Sequence, residues 1–423
     1  MNKKELRKLS KNELIKIILD FQERLEKVEQ YLKSFDNPHT PSSKKHKNNT
    51  ENKDDNKPRF PGKPKGSNGG GIQLPPPDEI KEHTLDTCPV SGLPLGNPVS
   101  YRKKTVIDFP DKPIRITEHR IMQYISPATG EIVEPKVDLP KGIYGKNIQS
   151  IVILLKNLTN SHDKIADFLR ELGAPSFSSA EVQNIADGFA DKLELKRREL
   201  LDEIQKAPYV NADETGFRKD GKNGYVWGIF TNTISIFQAA ANRARENIVK
   251  LLKDFKGVIV TDGYNAYNEF PLRQRCWIHL LREFKDYAQY NREIAIQYVR
   301  LKSLYEKLKV MREKPSDEKE IEKVKWELRD IVTCLKTIKE ARQLATLIKN
   351  GGDDWFTALY YEGVPLDNNH AERELRPIVL LRKVIGCYRN EKGKRWIDIV
   401  VSVLHTWKSQ GLNLFKQLCD IAE

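Results

Sequence analysis

The chain has 423 residues, 39% hydrophobic and 31% charged, with a formal charge of +13, enough length for two or three domains. No apolar run approaches the ~20 residues of a membrane-spanning helix, and the start, MNKKELRKLSKNEL, lacks the apolar stretch and cleavage site of an export signal. Cys88, Cys276, Cys334, Cys387 and Cys419 are scattered and odd in number, which argues against a disulfide framework and for a reducing cytoplasm.

Leu14, Ile18, Phe21, Leu25, Val28 and Leu32 alternate spacings of four and three. This seam predicts a coiled-coil helix over residues 1–35, through which copies of the chain would associate; an amphipathic helix on its own domain is the other reading. Residues 36–77 read as a disordered linker rich in Pro, Ser, Asn, Lys and Gly, too poor in large apolar residues to offset chain entropy. Residues 78–140 read as a small β unit, with alternating TVIDFP and IRITEHRIMQYI bracketed by the turns CPVSG and SPATG.

From 141 to 206 the period becomes helical: IQSIVILLKNLT, HDKIADFLREL and a long segment after Ser179, the expected N-cap. The break at Gly173-Ala174-Pro175 allows either a helix-turn-helix or an ordinary helical hairpin. Residues 207–423 form the last unit. APYVNADET, YVWGIF, ISIFQAA and GVIVTD read as strands, with the helix ARENIVKLLKDF before the last. A charged helical insertion follows at about 285–355. The chain ends in a long helix from 366, a basic loop around Asn390-Glu391-Lys392-Gly393, and a final helix.

Asp213 and Asp262 each end a predicted strand, where a sheet fixes the backbone and lets side chains protrude into a cleft. A lone Asp after a strand is otherwise a turn residue or cap. In LDNNHAERELRP, Asn368, Glu372 and Arg376 fall on one helical face at i, i+4 and i+8. Three carboxylates without nearby His or Cys are a hard-oxygen set suited to Mg²⁺ or Mn²⁺, and two such ions perform in-line phosphoryl displacement. Basic clustering points to a polyanion: residues 1–70 hold 17 Lys/Arg against 10 Asp/Glu, and 373–396 hold 8 against 2.

NADETGF, TDGYNAY with CWIHLLREF, and DNNHAERELRPIVLLRK together make the chain resemble the insertion-sequence-66 family of bacterial DDE transposases over nearly its whole length. The resemblance implies an α+β multidomain protein: a ribonuclease-H-like, mixed α/β catalytic core with a helical insertion. Before it would stand the coiled coil, a knuckle-like β unit and a helical DNA-binding region. It implies that Asp213, Asp262 and Glu372 hold the catalytic metals, two Mg²⁺ or Mn²⁺ ions. The function implied is binding of terminal inverted repeats, cleavage of transposon ends and joining to target DNA. A ribonuclease-H-like nuclease or resolvase without joining is the alternative, and a dead DNA-binding relic a third reading. Small accessory proteins are possible partners.

The family's zinc module uses four cysteines where this chain has Cys88, Ser91, Ser126 and Thr129, so no zinc is expected. The resemblance to Cys-x-x-His pairs beside the second Asp in this and related transposases implies that His279 contacts a scissile or flanking phosphate and that Trp277 stacks on an unpaired base; a buried Cys276 and a helix-start His is the plainer reading. Arg376, Arg382, Lys383, Arg389, Lys394 and Arg395, with Arg373 and Lys392 nearby, are expected to contact transposon-end DNA.

Overall fold

A computed structural model describes residues 76–422, except 87–88, 95–99, 101, 105, 111, 129–130, 141, 175 and 314–316. The expected coiled coil, most of the linker, Cys88 and Thr129 lie outside the described residues. The chain divides into two units, residues 1–110 and 111–423. The described part of the first carries a turn at 89–91 and no regular helix or strand.

In the second unit, the expected β unit contributes one hairpin, β1 (Tyr124–Ile125) with β2 (Ile132–Val133). Its side chains are exposed, as is Ile116 in the run predicted as a strand. A two-stranded ribbon with no apolar layer to cover it gains little from burial, so the ladder stays short.

Three helices follow, α1 (Lys146–Asn157), α2 (His162–Glu171) and α3 (Ser179–Gln205). Ser178 caps α3, one residue before the expected Ser179, its hydroxyl accepting from Glu181 N–H at 3.2 Å. Val182, Ile185, Phe189, Leu193, Leu200 and Ile204 repeat at helical spacing and are buried. That stripe, with Ile165 and Leu169 of α2, joins the same apolar core as the sheet, so these helices buttress the sheet.

The sheet has five strands in the order β6-β5-β3-β7-β8. β3 (Tyr209–Gly216), β5 (Tyr225–Phe230) and β6 (Ser235–Ala240) pair antiparallel, while β7 (Val258–Thr261) and β8 (Arg273–Arg275) continue from β3 in parallel. Between β6 and β7 runs α4 (Arg245–Leu251), and β4 (Arg218–Lys219) leaves β3 to pair with β9 (Cys387–Tyr388). This mixed α/β core is consistent with the expected ribonuclease-H-like class. β8 was not anticipated: Gln274 and Arg275 are buried polar residues. Gln274 is satisfied by donating to Trp355 O at 3.3 Å and accepting from Ala358 N–H at 2.7 Å.

The insertion is helical, as expected: α5 (Trp277–Ala288), α6 (Arg292–Arg312), α7 (Glu318–Lys336) and α8 (Arg342–Gly351). Then come α9 (Asn369–Ile385), α10 (Glu391–Arg395), a π-helical turn at Trp396–Val401, α11 (Ser402–Ser409) and α12 (Leu414–Ala422). The basic loop expected at 390–393 is instead the start of α10, because Asn390 caps it by accepting from Gly393 N–H at 3.1 Å.

β6 is an edge strand, and its outward amides have partners. Ser235 N–H donates to Thr406 Oγ1 (3.0 Å), Phe237 N–H to Ser402 Oγ (2.9 Å) and Ala239 N–H to Asp398 Oδ1 (2.7 Å). Residues 398, 402 and 406 recur every four positions along the helix, matching every second residue of the strand. No helix among the described residues is long and apolar enough to cross a membrane.

Candidate active site

The parallel register decides where the two aspartates stand. Asn211 of β3 pairs with Val260 of β7. Two residues further along neighbouring strands, Asp213 and Asp262 therefore stand side by side, with strands ~4.8 Å apart. Asp262 follows the end of β7, and its Oδ1 accepts from Tyr264 N–H at 2.9 Å. Gly263 between them has φ +97°, and a Cβ there would meet the Arg275 guanidinium at 3.0 Å, so the tight turn behind Asp262 requires glycine.

Asp213 Oδ1 accepts from Glu214 N–H at 2.9 Å. Burial, then the charges of Glu214 and Asp262, and more weakly Glu372, push its carboxyl up to about 7. Glu214 is the carboxylate the sequence did not flag. Its side chain is 1% exposed, held by Tyr267 Oη–H at 2.6 Å and Arg243 Nε–H at 2.7 Å. Arg243 in turn lies over the Tyr264 ring, 3.7 Å from its centroid. Burial raises Glu214 while Tyr267 and Arg243 oppose the shift.

Glu372 sits in the first turn of α9, where the helix dipole favours a negative charge. Its oxygens accept two bonds from Arg282 of α5, from Nη1 at 2.7 Å and Nη2 at 3.2 Å. His279 Nε2 lies 3.5 Å away. The Arg282 hydrogen bonds, followed by the charges of Arg282, His279 and Arg376, hold Glu372 below the usual carboxylate range. Arg282, one turn beyond His279 in CWIHLLREF, was missed by sequence reasoning, although the i, i+3 spacing puts both on one face.

A buried amide pair joins the two carboxylate-bearing elements. Asn368, fully buried, donates from Nδ2 to Ala212 O at 2.8 Å and accepts from Asn211 Nδ2 at 2.9 Å. Its backbone N–H donates to Cys276 Sγ at 3.1 Å. Asn368 occupies the N-cap position of α9, but its side chain makes no cap bond; it ties α9 instead to the strand residue preceding Asp213. Burial pushes the Cys276 thiol up to about 11, in keeping with the plain buried-cysteine reading. Gly228, opposite Asp213 across the β3–β5 ladder, lets α9 approach: a Cβ there would clash with the Phe230 ring and meet Leu375 Cδ2 at 3.0 Å.

Oxygen-only donors and mutually repelling carboxylates fit a hard divalent cation, which would relieve the charge that raises Asp213. Among the described residues, however, no three His, Cys, Asp or Glu side chains gather as a metal cage. Asp213 and Asp262 are brought together, whereas Glu372 is close enough for its charge to act on Asp213 but is bound to Arg282.

The family model described as "Transposase IS66 family" matches residues 141–395. The chain belongs to the IS66 transposase family. A search of curated proteins finds no match.

In this IS66-family chain the expected DNA contacts divide. Trp277 is a correction: it is fully buried, its indole N–H donates to Trp355 O at 2.7 Å, and Tyr305, Trp355 and Phe356 surround its ring. A ring without an exposed face cannot stack on a base, so Trp277 anchors the insertion to the core. Arg382 is half-buried and donates to Gly216 O and, at 3.3 Å, to Thr215 Oγ1, fastening α9 to the end of β3. Lys394 pairs with Asp398 at 2.7 Å, and Arg395 pairs with Asp191 and Glu194 of α3 at 2.8 and 3.0 Å. Lys392 pairs with Asp187 at 2.6 Å. Arg373, Arg376, Lys383 and Arg389 are exposed and make no ion pair among the described residues.

Proposed function

We propose that this transposase-family chain binds the terminal inverted repeats of an insertion sequence, cleaves its ends by metal-dependent phosphodiester hydrolysis and joins them to target DNA. The observation that carries the reading is the β3–β7 register, which aligns Asp213 with Asp262, with Glu372 presented from the start of α9. Asp213, Asp262 and Glu372 would hold two Mg²⁺ or Mn²⁺ ions, which supply an activated water or 3′-hydroxyl and charge stabilisation for the leaving oxygen.

The chain's own residues do the rest. Asn368 and Asn211 fix the spacing of β3 and α9; Glu214 adds negative charge beside Asp213, held by Tyr267 and Arg243. Arg282 neutralises Glu372 and releases it when a cation arrives. Arg376, beside Glu372 on α9, reaches the reacting strand. Lys383 and Arg389, exposed beyond it, contact the backbone, and His279 contacts a flanking phosphate. Residues 1–35 bring copies of the chain together, and small accessory proteins act as further partners at the DNA ends.

The test is incubation of the purified protein with its element's ends in Mg²⁺, comparing wild type with Asp262→Ala. Cleavage by the wild type alone is expected; equal cleavage by both would overturn the mechanism. Pre-cleaved ends separate transposition from simple nuclease action, because only a transposase joins them to a second duplex.

A further inference from the structure

The stretch from Trp277 to Tyr360 holds 17 Lys/Arg and 14 Asp/Glu, close to neutrality. One groove within it is nevertheless strongly cationic. It has a volume of about 450 Å³, lies between α7 and the end of α8, and is lined by Lys325, Arg329, Lys336 and Lys349, with Asp353 its single acid.

The four cations are not equally neutralised. Lys325 Nζ lies 3.0 Å from Asp353 and 3.4 Å from Glu322, and its side chain is only 10% exposed. Arg329 reaches no closer than 3.8 Å to Glu322 and is 67% exposed. Lys336 and Lys349 are exposed and make no ion pair among the described residues. Three cations therefore face the groove with little local compensation. Positive potential concentrated in a concave surface is focused by the low-dielectric wall.

The spacing suits a polymer. Arg329 and Lys336 fall at i and i+7 on α7, a stripe ~10 Å long at 1.5 Å per residue, with Lys349 lining the same groove from α8. One strand of duplex DNA places a charge every ~3.4 Å along its axis, so the stripe spans several phosphates.

We infer that the groove between α7 and α8 binds the phosphodiester backbone of duplex DNA, a contact surface separate from the carboxylates. The inference rests on the DNA reading above. Free phosphate or a mononucleotide presents the same oxyanion chemistry, and the experiment distinguishes them from the polymer.

The full chain and its Arg329→Gln/Lys336→Gln/Lys349→Gln variant are titrated against a fluorescent end-sequence duplex from 50 to 300 mM KCl. If all three side chains meet phosphates, the salt slope falls by ~2.7 and affinity at 150 mM drops at least ~10-fold, at ~0.9 per contact. Urea unfolding midpoints should coincide, since the side chains are exposed; Lys336→Gln/Lys349→Gln serves if the triple variant is unstable. Unchanged affinity and slope beside a parent that binds would overturn the groove alone. So would a variant that loses binding of inorganic phosphate or a mononucleotide while holding the duplex normally. A parent that binds no duplex overturns the DNA reading and the groove with it. Intact binding without Mg²⁺-dependent cleavage would refute the cleavage mechanism and leave the groove standing.

Discussion

Replacing Asn368 with alanine tests how the carboxylate-bearing strand and helix are tied together. The wild-type side chain donates to Ala212 O at 2.8 Å and accepts from Asn211 Nδ2 at 2.9 Å, all at fully or nearly fully buried positions. In Asn368→Ala the Asn211 amide loses its acceptor and has no route to water. Stranding a buried donor costs ~1–3 kcal/mol, and the second lost bond adds ~1 kcal/mol. The expected destabilisation is therefore about 2–4 kcal/mol. Asn368→Asp should not rescue it: one oxygen still accepts from Asn211, but the other now faces the Ala212 carbonyl. Urea denaturation at neutral pH measures both variants. Because the same bonds fix α9 relative to β3, Asn368→Ala should also raise the Mn²⁺ concentration needed for half-maximal binding, read by calorimetry. A stability change below ~0.5 kcal/mol, the range of ordinary surface substitutions, with unaltered metal affinity would refute the reasoning.

Arg282→Gln should free Glu372 and strengthen divalent-metal binding by about 5-fold, taking ~1 kcal/mol for a partly exposed bidentate pair. Calorimetric titration with Mn²⁺ checks it, and weaker binding would show that Arg282 helps hold the site open. Gly228→Ala should cost ~1–3 kcal/mol in urea, because the new methyl meets Phe230 and Leu375; a neutral change would mean that α9 yields freely. His405 and His162 are lowered to about 4, His405 by burial and His162 by burial and the adjacent Lys156. A histidine whose folded pKa is depressed stabilises above its unfolded value, and that contribution is lost as pH falls through the folded one. Stability should therefore decline from about pH 6.5 towards pH 4, by on the order of 3 kcal/mol for His405. The decline should be visibly shallower in His405→Phe, and an identical profile in that variant would remove His405 from the account.

Much of the scaffold could be read locally. β3, β5, β6 and β7 are apolar, β-branched or aromatic runs, and Asp213 and Asp262 stand out as the charges that interrupt or follow them. The insertion's helices announced themselves by three- and four-residue spacing. What escaped depends on distant partners. β8 reads as Arg-Gln-Arg, and only Trp355 and Ala358, some 80 positions away, make its burial tolerable. Glu214 carries no local signal of its own; its counter-charge and donor come from Arg243 and Tyr267, 29 and 53 positions away. Lys394 and Arg395 looked like free cations because their acids, Asp398, Asp191 and Glu194, lie on other helical turns or elements. Trp277 erred in the same way: a tryptophan beside a Cys-x-x-His pair carries no local mark of burial.

The lock on β6 bears on where the working protein ends. The family match stops at residue 395, yet Asp398, Ser402 and Thr406, which occupy the strand's outward amides, all lie beyond it. A chain cut to the matched region would present a naked β edge, open to pairing with any neighbour's strand. The π-helical turn and α11 thus act as a built-in seal against sheet-to-sheet polymerisation.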